Sequence, residues 1–205
     1  VGFLIKDASG HVEEGKERMV RTPWSADAIP FHQAASLGTR KVIEDHSTIG
    51  LMITTDGSFG EFPRENFLKA EEKTVQELKK QQKPFLILVN SQLPYKEETL
   101  KLAQELQTKY GVTAITANCE QLRREDITRI LENILYEFPV SQIQFFVPKW
   151  VEMLSPDHEL KKQILNQIRE KMQKLCHIRD ITRDSVRLDG PYVQETLLDE
   201  INLSN

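Results

Sequence analysis

Strand-like and helix-like patterns of apolar residues alternate along residues 2–138 of the chain. Runs rich in β-branched and apolar residues predict strands, and apolar residues that recur every three or four positions predict amphipathic helices. The predicted strands cover residues 2–6, 49–55, 84–89 and 112–117, and the predicted helices cover residues 32–46, about 63–82, 96–110 and 124–138. Strands that alternate with helices favour a parallel sheet with helical crossovers.

The strand predicted at residues 84–89 has the most informative composition. It is a continuous apolar run, which is typical of a central parallel strand with both faces buried. The helix predicted at residues 124–138 has one apolar face, formed by Ile127, Ile130, Leu131, Ile134, Leu135 and Phe138. We therefore predict an α/β fold with a doubly wound, mostly parallel sheet. Ligand-binding residues in such a sheet follow the carboxyl ends of the strands.

The amino-terminal part departs from this alternation. Residues 7–31 are polar and contain two glycines and two prolines without strand or helix periodicity, so we expect a long loop. The chain opens within the first predicted strand, and no Met stands before that strand. The sequence therefore predicts an N-terminally incomplete domain.

The pattern also changes after residue 138. Residues 142–147 predict a last strand, residues 148–151 a connection, and Ser155 the N-cap of a helix with Pro156 in its first turn. That helix, of about 20 residues, has one apolar stripe, formed by Leu160, Ile164, Ile168, Met172 and Leu175. We expect the stripe to pack on the sheet or on a following domain, and a membrane surface or a partner helix is the alternative.

These patterns divide the chain into two parts. Residues 1–150 are predicted to form the carboxyl-terminal part of one domain. Residues 151–205 are predicted to form a helical connection and the start of a second domain, in which residues 177–205 have a mixed polar pattern.

Composition and charge narrow the class of protein. The 27 basic residues are dispersed among 31 acidic ones, and the formal net charge is −4, so no basic stripe is present to bind nucleic acid. The two cysteines, Cys119 and Cys176, favour a reducing compartment and argue against a thiolate zinc site. No apolar run approaches the ~20 residues that cross a bilayer, and no signal-peptide pattern opens the chain. We therefore expect a cytoplasmic protein that does not span a membrane.

Residues 10–16 match the spacing of a phosphate-binding loop, G-x-x-x-x-G-K, but so short a pattern often matches by chance. The next residue is Glu17, where Ser or Thr is needed to bind Mg²⁺, and two more carboxylates, Glu13 and Glu14, would face the phosphates. No helix is predicted to begin here, so no helix N-terminus would face the phosphates either. We interpret the segment as a solvated loop.

The residues after the predicted strands carry the main functional information. In guanine-nucleotide folds the strand equivalent to residues 84–89 ends in Asn-Lys-x-Asp, whose carboxylate accepts two hydrogen bonds from guanine. The corresponding residues here are Asn90-Ser91-Gln92-Leu93. Leu93 cannot accept those bonds, so we expect guanine selectivity to be absent and adenine to be preferred. The alternative role of Asn90 is to cap the turn before Pro94.

Two further positions match such folds. Thr116-Ala117-Asn118-Cys119 ends the next strand, where a backbone loop approaches the base, and Gly2 stands where a glycine amide contacts the γ-phosphate. The predicted nucleotide-binding residues are Gly2, Asn90, Ser91, Thr116, Ala117 and Asn118.

A series of short segments, spread over residues 1 to about 155, carries a family resemblance. The segments are Val1-Gly2-Phe3, His11-Val12-Glu13, Thr22-Pro23-Trp24, Ile29-Pro30-Phe31, Gly38-Thr39-Arg40-Lys41-Val42-Ile43, Asp45-His46-Ser47-Thr48-Ile49-Gly50, Thr54-Thr55-Asp56-Gly57-Ser58, Pro63-Arg64-Glu65-Asn66 and Asn90-Ser91. Through them the chain resembles the stage IV sporulation protein A family of spore-forming Bacillota.

The resemblance implies an ATPase of the GTPase-like P-loop class that has changed its nucleotide. It implies ATP and Mg²⁺ as cofactors, and polymerisation with ATP hydrolysis into the basement layer of the spore coat. The family's phosphate-loop Lys, its sensor threonines and the Asp of its Asp-x-x-Gly element are expected before Val1, and only Gly2 maps onto that last element. No catalytic residue is therefore assigned in this chain, which by itself is expected to bind nucleotide weakly and to hydrolyse none.

The implied partners are further copies of the same protein, other spore coat proteins and a small membrane-associated coat-anchoring peptide, with no nucleic acid. The implied location is the mother-cell cytoplasm, at the outer surface of the forespore. Arg18, Arg21 and Arg40 are candidates for phosphate or subunit contacts, and solvated surface arginines are the alternative. His46 could take part in proton transfer or simply end a helix.

Two other functions compete with the ATPase. The domain could be a non-catalytic assembly module that uses the fold for subunit contacts alone. It could also be a flavodoxin-like enzyme or response domain, but that class predicts clustered acidic or Gly-rich strand ends, which this sequence lacks.

Overall fold

A computed structural model describes the chain at residues 2–8, 10, 12–13, 15–191 and 193–202. The chain forms two compact units, Val1–Ile134 and Leu135–Asn205. The first contains strands β1 (Val12–Glu13), β2 (Lys16–Glu17), β3 (Met19–Thr22), β4 (Ser25–Pro30), β5 (Gly50–Thr55), β6 (Phe85–Asn90) and β7 (Ala114–Ala117), helices α1 (Phe31–Lys41), α2 (Leu68–Lys80) and α3 (Glu97–Tyr110), and most of α4 (Arg124–Tyr136). The second contains α5 (Lys149–Glu152), α6 (Glu159–Met172) and α7 (Arg183–Val186). Among the described residues, no helix is long and apolar enough to cross a membrane.

β5, β6 and β7 form one parallel sheet in that order. α2 connects β5 to β6, and α3 connects β6 to β7. The register aligns Thr55 with Asn90, and Asn90 with Ala117, so the carboxyl ends of the three strands lie at one edge. The strands follow chain order in one direction, whereas a doubly wound sheet reverses direction at a switch point. The described residues therefore confirm the parallel α/β prediction but do not show the double winding.

β6 lies at the centre of the sheet and of the core, as its apolar run predicted. Residues 85–89 each expose at most 3 % of their surface. One face of β6 packs into a cluster with side chains of neighbouring elements: Ile43, Met52, Val75, Leu78, Phe85, Ile87, Val89, Ala103, Leu106 and Tyr110. Both faces of this strand are buried, so its apolar side chains stabilise the first unit.

The four predicted helices are all observed. The predicted helix at residues 32–46 is α1 followed by a π-helical turn, Val42–His46. The helix predicted near residue 63 begins with a 3₁₀ turn, Arg64–Asn66, and continues as α2. α3 ends where expected because Gly111 adopts a left-handed conformation, with φ of 68°, that terminates the helix.

Two predictions for the amino-terminal part are wrong. Residues 2–6 form no strand, because their contacts are made with helices rather than with a sheet. Lys6 N donates to Asn66 O at 3.1 Å, and Lys73 Nζ lies 4.2 Å from the ring centroid of the buried Phe3. The predicted loop at residues 7–31 contains two antiparallel hairpins, β1–β2 and β3–β4. These strands are short and largely exposed, so no apolar alternation marks them in the sequence.

Two predictions for the second unit are also wrong. Residues 142–147 form no strand, and the antiparallel bridge recorded in this unit joins Pro139 to His177. The long helix begins at Glu159 rather than near Ser155. His158 is its N-cap, and Leu160 N donates to His158 Nδ1 at 3.3 Å. The residues before the helix form a turn in which His158 N donates to Ser155 O. Ser155, the N-cap predicted from the sequence, therefore belongs to this turn and not to the helix.

Candidate functional site

The carboxyl edge of the sheet holds a cavity of about 430 Å³. Its walls come from the loops after β5 and β6 and from the start of α3. The lining residues are Asp56, Gly57, Ser58, Ser91, Gln92, Leu93, Lys96, Glu98, Thr99 and Leu102. Parallel strands direct these loops to one edge, which is where ligands bind in open α/β sheets.

The carboxylate of Asp56 joins the segments that line this cavity through hydrogen bonds. Its Oδ1 accepts hydrogen bonds from Ser58 N at 2.9 Å and Ser58 Oγ at 2.5 Å, and its Oδ2 accepts one from Thr99 Oγ1 at 2.9 Å. Ser58 Oγ also accepts from Gln92 N at 3.0 Å, and Ser91 Oγ lies 3.4 Å from Thr99 Oγ1. One polar network therefore joins the loop after β5, the loop after β6 and the first turn of α3.

These contacts determine the ionisation of Asp56. Partial burial by itself would raise the pKa of this carboxyl, but the hydrogen bonds from Ser58, Ser91 and Thr99 outweigh burial and hold the pKa below its ordinary value. The folded state thus favours the charged form. Asp56 is therefore a structural anion whose acceptor positions are already occupied.

We expect Asp56→Asn to destabilise the protein most at neutral pH. A carboxyl whose pKa is lowered by folding stabilises the protein above its unfolded pKa, and this contribution is lost as the pH falls through the folded pKa. The difference in unfolding free energy between the parent and the variant should therefore shrink below about pH 4. Urea unfolding over a pH series measures it, with the exposed Asp27→Asn as control. A difference that does not change with pH would contradict this role.

A second set of contacts joins the loops after β6 and β7. Asn90 Oδ1 accepts from Cys119 N at 2.9 Å, and Asn118 Nδ2 donates to Gln92 O at 3.4 Å. Asn118 Oδ1 accepts from Glu120 N at 3.0 Å, which tightens the second loop. The two asparagine side chains therefore hold the loops against each other beside the cavity.

The residues predicted to bind nucleotide occupy two places. Five of them lie at the carboxyl edge: Asn90, Ser91, Thr116, Ala117 and Asn118. Ser91 is 1 % exposed, and its N–H donates to Ala117 O at 3.0 Å. This buried residue therefore joins the carboxyl ends of β6 and β7. Gly2 is exposed, and its carbonyl accepts from Thr39 Oγ1 of α1 at 2.9 Å. A phosphate contact at Gly2 stays a prediction.

Three residues of the polar network are missed by the sequence analysis. Asp56 appears there only within a segment of the family resemblance, although a carboxylate directly after a predicted strand is a signal that could have identified it. Ser58 and Thr99 carry no such signal. Thr99 stands 43 residues from Asp56 and reaches it only because α3 begins at the edge where β5 ends.

Residues 10–16, which match the spacing of a phosphate-binding loop, lie at the β1–β2 hairpin, where Glu13 pairs with Lys16. His11 and Glu14 lie outside the described residues. Lys16 belongs to a strand, and the described residues after it continue into β2 and β3 rather than into a helix. A phosphate loop requires a helix N-terminus at this point, so the described geometry supports the interpretation as a non-phosphate loop.

The candidate arginines lie outside the cavity lining. Arg18 Cζ lies 5.6 Å from the ring centroid of Phe31, and Arg40 Nε lies 3.5 Å from a carboxylate oxygen of Glu77 on α2. Arg21 and His46 are exposed. Their phosphate, subunit and proton-transfer roles stay predictions.

The sheet, its helical crossovers and the polar loops at its carboxyl edge define the class of this protein. It is an α/β protein whose sheet is compatible with a P-loop NTPase-like fold. The chain belongs to the stage IV sporulation protein A family: the family's ATPase domain matches residues 1–139, and its middle domain matches residues 140–205.

Three curated relatives agree with this assignment, and all bear the name stage IV sporulation protein A. The protein of Clostridioides difficile is 42 % identical over 181 residues, which cover 88 % of this chain. Those of Bacillus subtilis and Bacillus anthracis are 40 % and 41 % identical over 183 residues, which cover 89 % of this chain. The chain spans 37 % of the length of each relative. No solved structure matches the chain.

Proposed function

We propose that this chain is part of an ATP-binding and ATP-hydrolysing morphogenetic protein, which polymerises into the basement layer of the spore coat. Family membership supports the biological setting, and the carboxyl edge of the sheet supports the nucleotide site. The observation that carries the proposal is the fixed side chain of Asn90, which stands at the carboxyl end of the central strand.

The side chain of Asn90 offers hydrogen-bond donors for the proposed purine contact. Because its Oδ1 accepts from Cys119 N, its Nδ2 donors point away from that loop. Within the described residues, no hydrogen bond is recorded from Asn90 Nδ2, so this group can donate to a purine ring nitrogen. A cavity of about 430 Å³, which is of ligand-site size, begins at the next residue, Ser91, and lies between the loops after β5 and β6 and the start of α3. We propose that a purine binds at this edge of the sheet.

The neighbouring residues favour adenine over guanine. Recognition of guanine needs an acceptor that faces its two edge N–H groups. Leu93, which is 64 % exposed beside the cavity, offers none, and the Asp56 oxygens are already engaged with Ser58 and Thr99. Neither Leu93 nor Asp56 disfavours the binding of adenine.

In the described residue ranges no group of three or more His, Cys, Asp or Glu side chains is placed to hold a metal ion. On the family resemblance, we propose that the phosphate-binding Lys and the Mg²⁺ ligands belong to other parts of the family protein. The present chain would then supply the base-binding edge, bind ATP weakly and hydrolyse none.

The proposed assembly is a homopolymer at the outer surface of the forespore, in the mother-cell cytoplasm. Its other proposed partners are spore coat proteins and a small membrane-associated anchoring peptide. Nucleic acid is not a proposed partner, because the basic residues are dispersed among a larger number of acidic ones. A non-catalytic assembly module with the same fold is the alternative.

ATP and GTP hydrolysis, with sedimentation before and after, tests the proposal on the full-length family protein that contains this chain. We expect ATP turnover coupled to pelleting. Asn90→Ala should raise KM for ATP roughly 2- to 10-fold, because it removes a hydrogen-bond donor. Asn133→Ala, which removes an amide bonded within α4, is the matched control. Equal pelleting without nucleotide would support the assembly module, and preferential GTP turnover would contradict the roles given to Asn90 and Leu93.

A further inference from the structure

Aspartate is followed by glycine at two places in the chain, Asp56-Gly57 and Asp189-Gly190. In such a pair the backbone nitrogen of glycine can attack the aspartate Cγ, because glycine has no side chain to block the approach. The ring closure releases one water and gives a succinimide, which water then opens to aspartate or to isoaspartate. The reaction needs a carboxyl group and a backbone N–H that are both free to move towards each other.

Hydrogen bonds protect the first pair from this reaction. Both oxygens of Asp56 are acceptors, Oδ1 for Ser58 N and Ser58 Oγ and Oδ2 for Thr99 Oγ1. The nitrogen that would attack is also engaged, because Gly57 N donates to Thr55 Oγ1 at 3.0 Å. Although burial opposes the change, hydrogen bonds lower the pKa of the Asp56 carboxyl, and its ionised form accepts a nucleophile less readily than the protonated form.

The second pair lies on an exposed loop of the second unit. The Asp189 side chain is 78 % exposed, and its Oδ1 lies 3.4 Å from Arg187 Nε. Both side chains of this ion pair are mostly in water, so it holds the carboxylate weakly. Gly190 is exposed as well, and among the described residues no acceptor is recorded for its backbone N–H. The carboxyl group and the nitrogen can therefore approach each other.

A contact with α6 orients the peptide between Asp189 and Gly190. Gln167 Nε2 donates to Asp189 O at 2.6 Å, and Asp189 N donates to Gln167 Oε1 at 2.9 Å. In a trans peptide the N–H points to the opposite side from the carbonyl oxygen. Because Asp189 O faces Gln167, the N–H of Gly190 points away from that side chain. The side chain that fixes this loop therefore leaves the attacking nitrogen accessible.

We propose that Asp189 is a site of spontaneous isomerisation to isoaspartate and that Asp56 is protected from it. Gly190 N bonds to Asp189 Cγ, and the N–H proton leaves with the carboxyl hydroxyl as water. A second water then cleaves the bond between Gly190 N and Asp189 C, so that the main chain runs through Cγ and gains one methylene. Asp189 O then belongs to a free carboxylate, and its contact with Gln167 no longer fixes the following peptide. The reaction uses no nucleotide and is independent of the proposed function.

Peptide mapping of the 205-residue chain, aged in neutral buffer, measures the reaction. Aspartate and isoaspartate peptides have the same mass, but chromatography separates them and electron-transfer fragmentation identifies each. We expect isoaspartate to form at Asp189 at least about tenfold faster than at Asp56. In concentrated urea the two rates should converge, because unfolding removes the contacts of Asp56. Equal rates in the folded chain, or a difference that persists in urea, would overturn the inference.

Substitution of the attacking residue tests the chemistry. Gly190→Ala should slow isomerisation at Asp189 at least about tenfold, because the added methyl group hinders the attack. Gly60→Ala is the matched control, since Gly60 is also exposed but follows Phe59, and it should leave the rate at Asp189 unchanged. Circular dichroism checks that both variants are folded. If Gly190→Ala isomerises as fast as the parent, this nitrogen is not the nucleophile and the assignment is wrong.

Discussion

Replacing Glu71 by Gln is expected to lower the free energy of unfolding by about 3–5 kcal/mol. The Glu71 side chain is 2 % exposed, and its Oε2 lies 2.6 Å from Arg64 Nη2 and accepts from Thr54 Oγ1 at 2.8 Å. Its Oε1 accepts from Tyr110 OH at 3.2 Å. The amide would leave the largely buried Arg64 guanidinium without its counter-charge. Chemical denaturation at neutral pH measures the loss.

The adjacent residue provides the matched control for this variant. Glu72 has a side chain that is 53 % exposed, and its carboxylate lies 3.9 Å from Lys109 Nζ. Glu72→Gln should change the unfolding free energy by no more than about 0.5–1 kcal/mol, because exposed ion pairs contribute little. If the two variants lose the same small amount, the buried Arg64–Glu71 ion pair does not contribute the expected stability.

Leu86→Ala is expected to cost about 2–5 kcal/mol of unfolding free energy, because it leaves a cavity in the centre of the sheet. Leu86 exposes 0 % of its surface. Its register partner on β5, Leu51, is 41 % exposed. Leu51→Ala should therefore cost less than about 1.5 kcal/mol, since much of its side chain is already in water. Equal losses at the two positions, measured by urea unfolding, would contradict the central place of β6 in the core.

The parts of the fold that were predictable from sequence are those where one physical signal dominates. The strand β6 is marked by a continuous apolar run and the helix α4 by apolar periodicity, and both elements are observed. Of the predicted apolar face of α4, Ile130 and Ile134 are buried, whereas Ile127, Leu131 and Leu135 are exposed. The hairpins of residues 12–30 could not be predicted, because their strands are short and largely exposed and their sequences show no apolar alternation. The strand expected at residues 142–147 has the right composition, but a strand also needs a partner, and composition does not specify one.

The residues of the candidate site that could be predicted are those that lie at or directly after the end of a predicted strand. Asn90 and Asn118 were identified because the alternation of strands and helices predicts which residues reach the carboxyl edge. The network around Asp56 was missed because it depends on Thr99, which approaches only after α3 has packed on the sheet. Long-range polar contacts of this kind leave no pattern in neighbouring residues.

Titration of ATP into the isotope-labelled chain, followed by amide NMR, tests whether the carboxyl edge of the sheet binds adenine nucleotide. We expect saturable shifts, with a dissociation constant of about 1 mM or weaker, confined to the loops at residues 56–58, 90–93 and 117–120. GTP should shift the same amides less at equal concentration. The absence of any saturable shift, or shifts confined to residues away from these three loops, would contradict the claim that the carboxyl edge of the sheet binds adenine nucleotide.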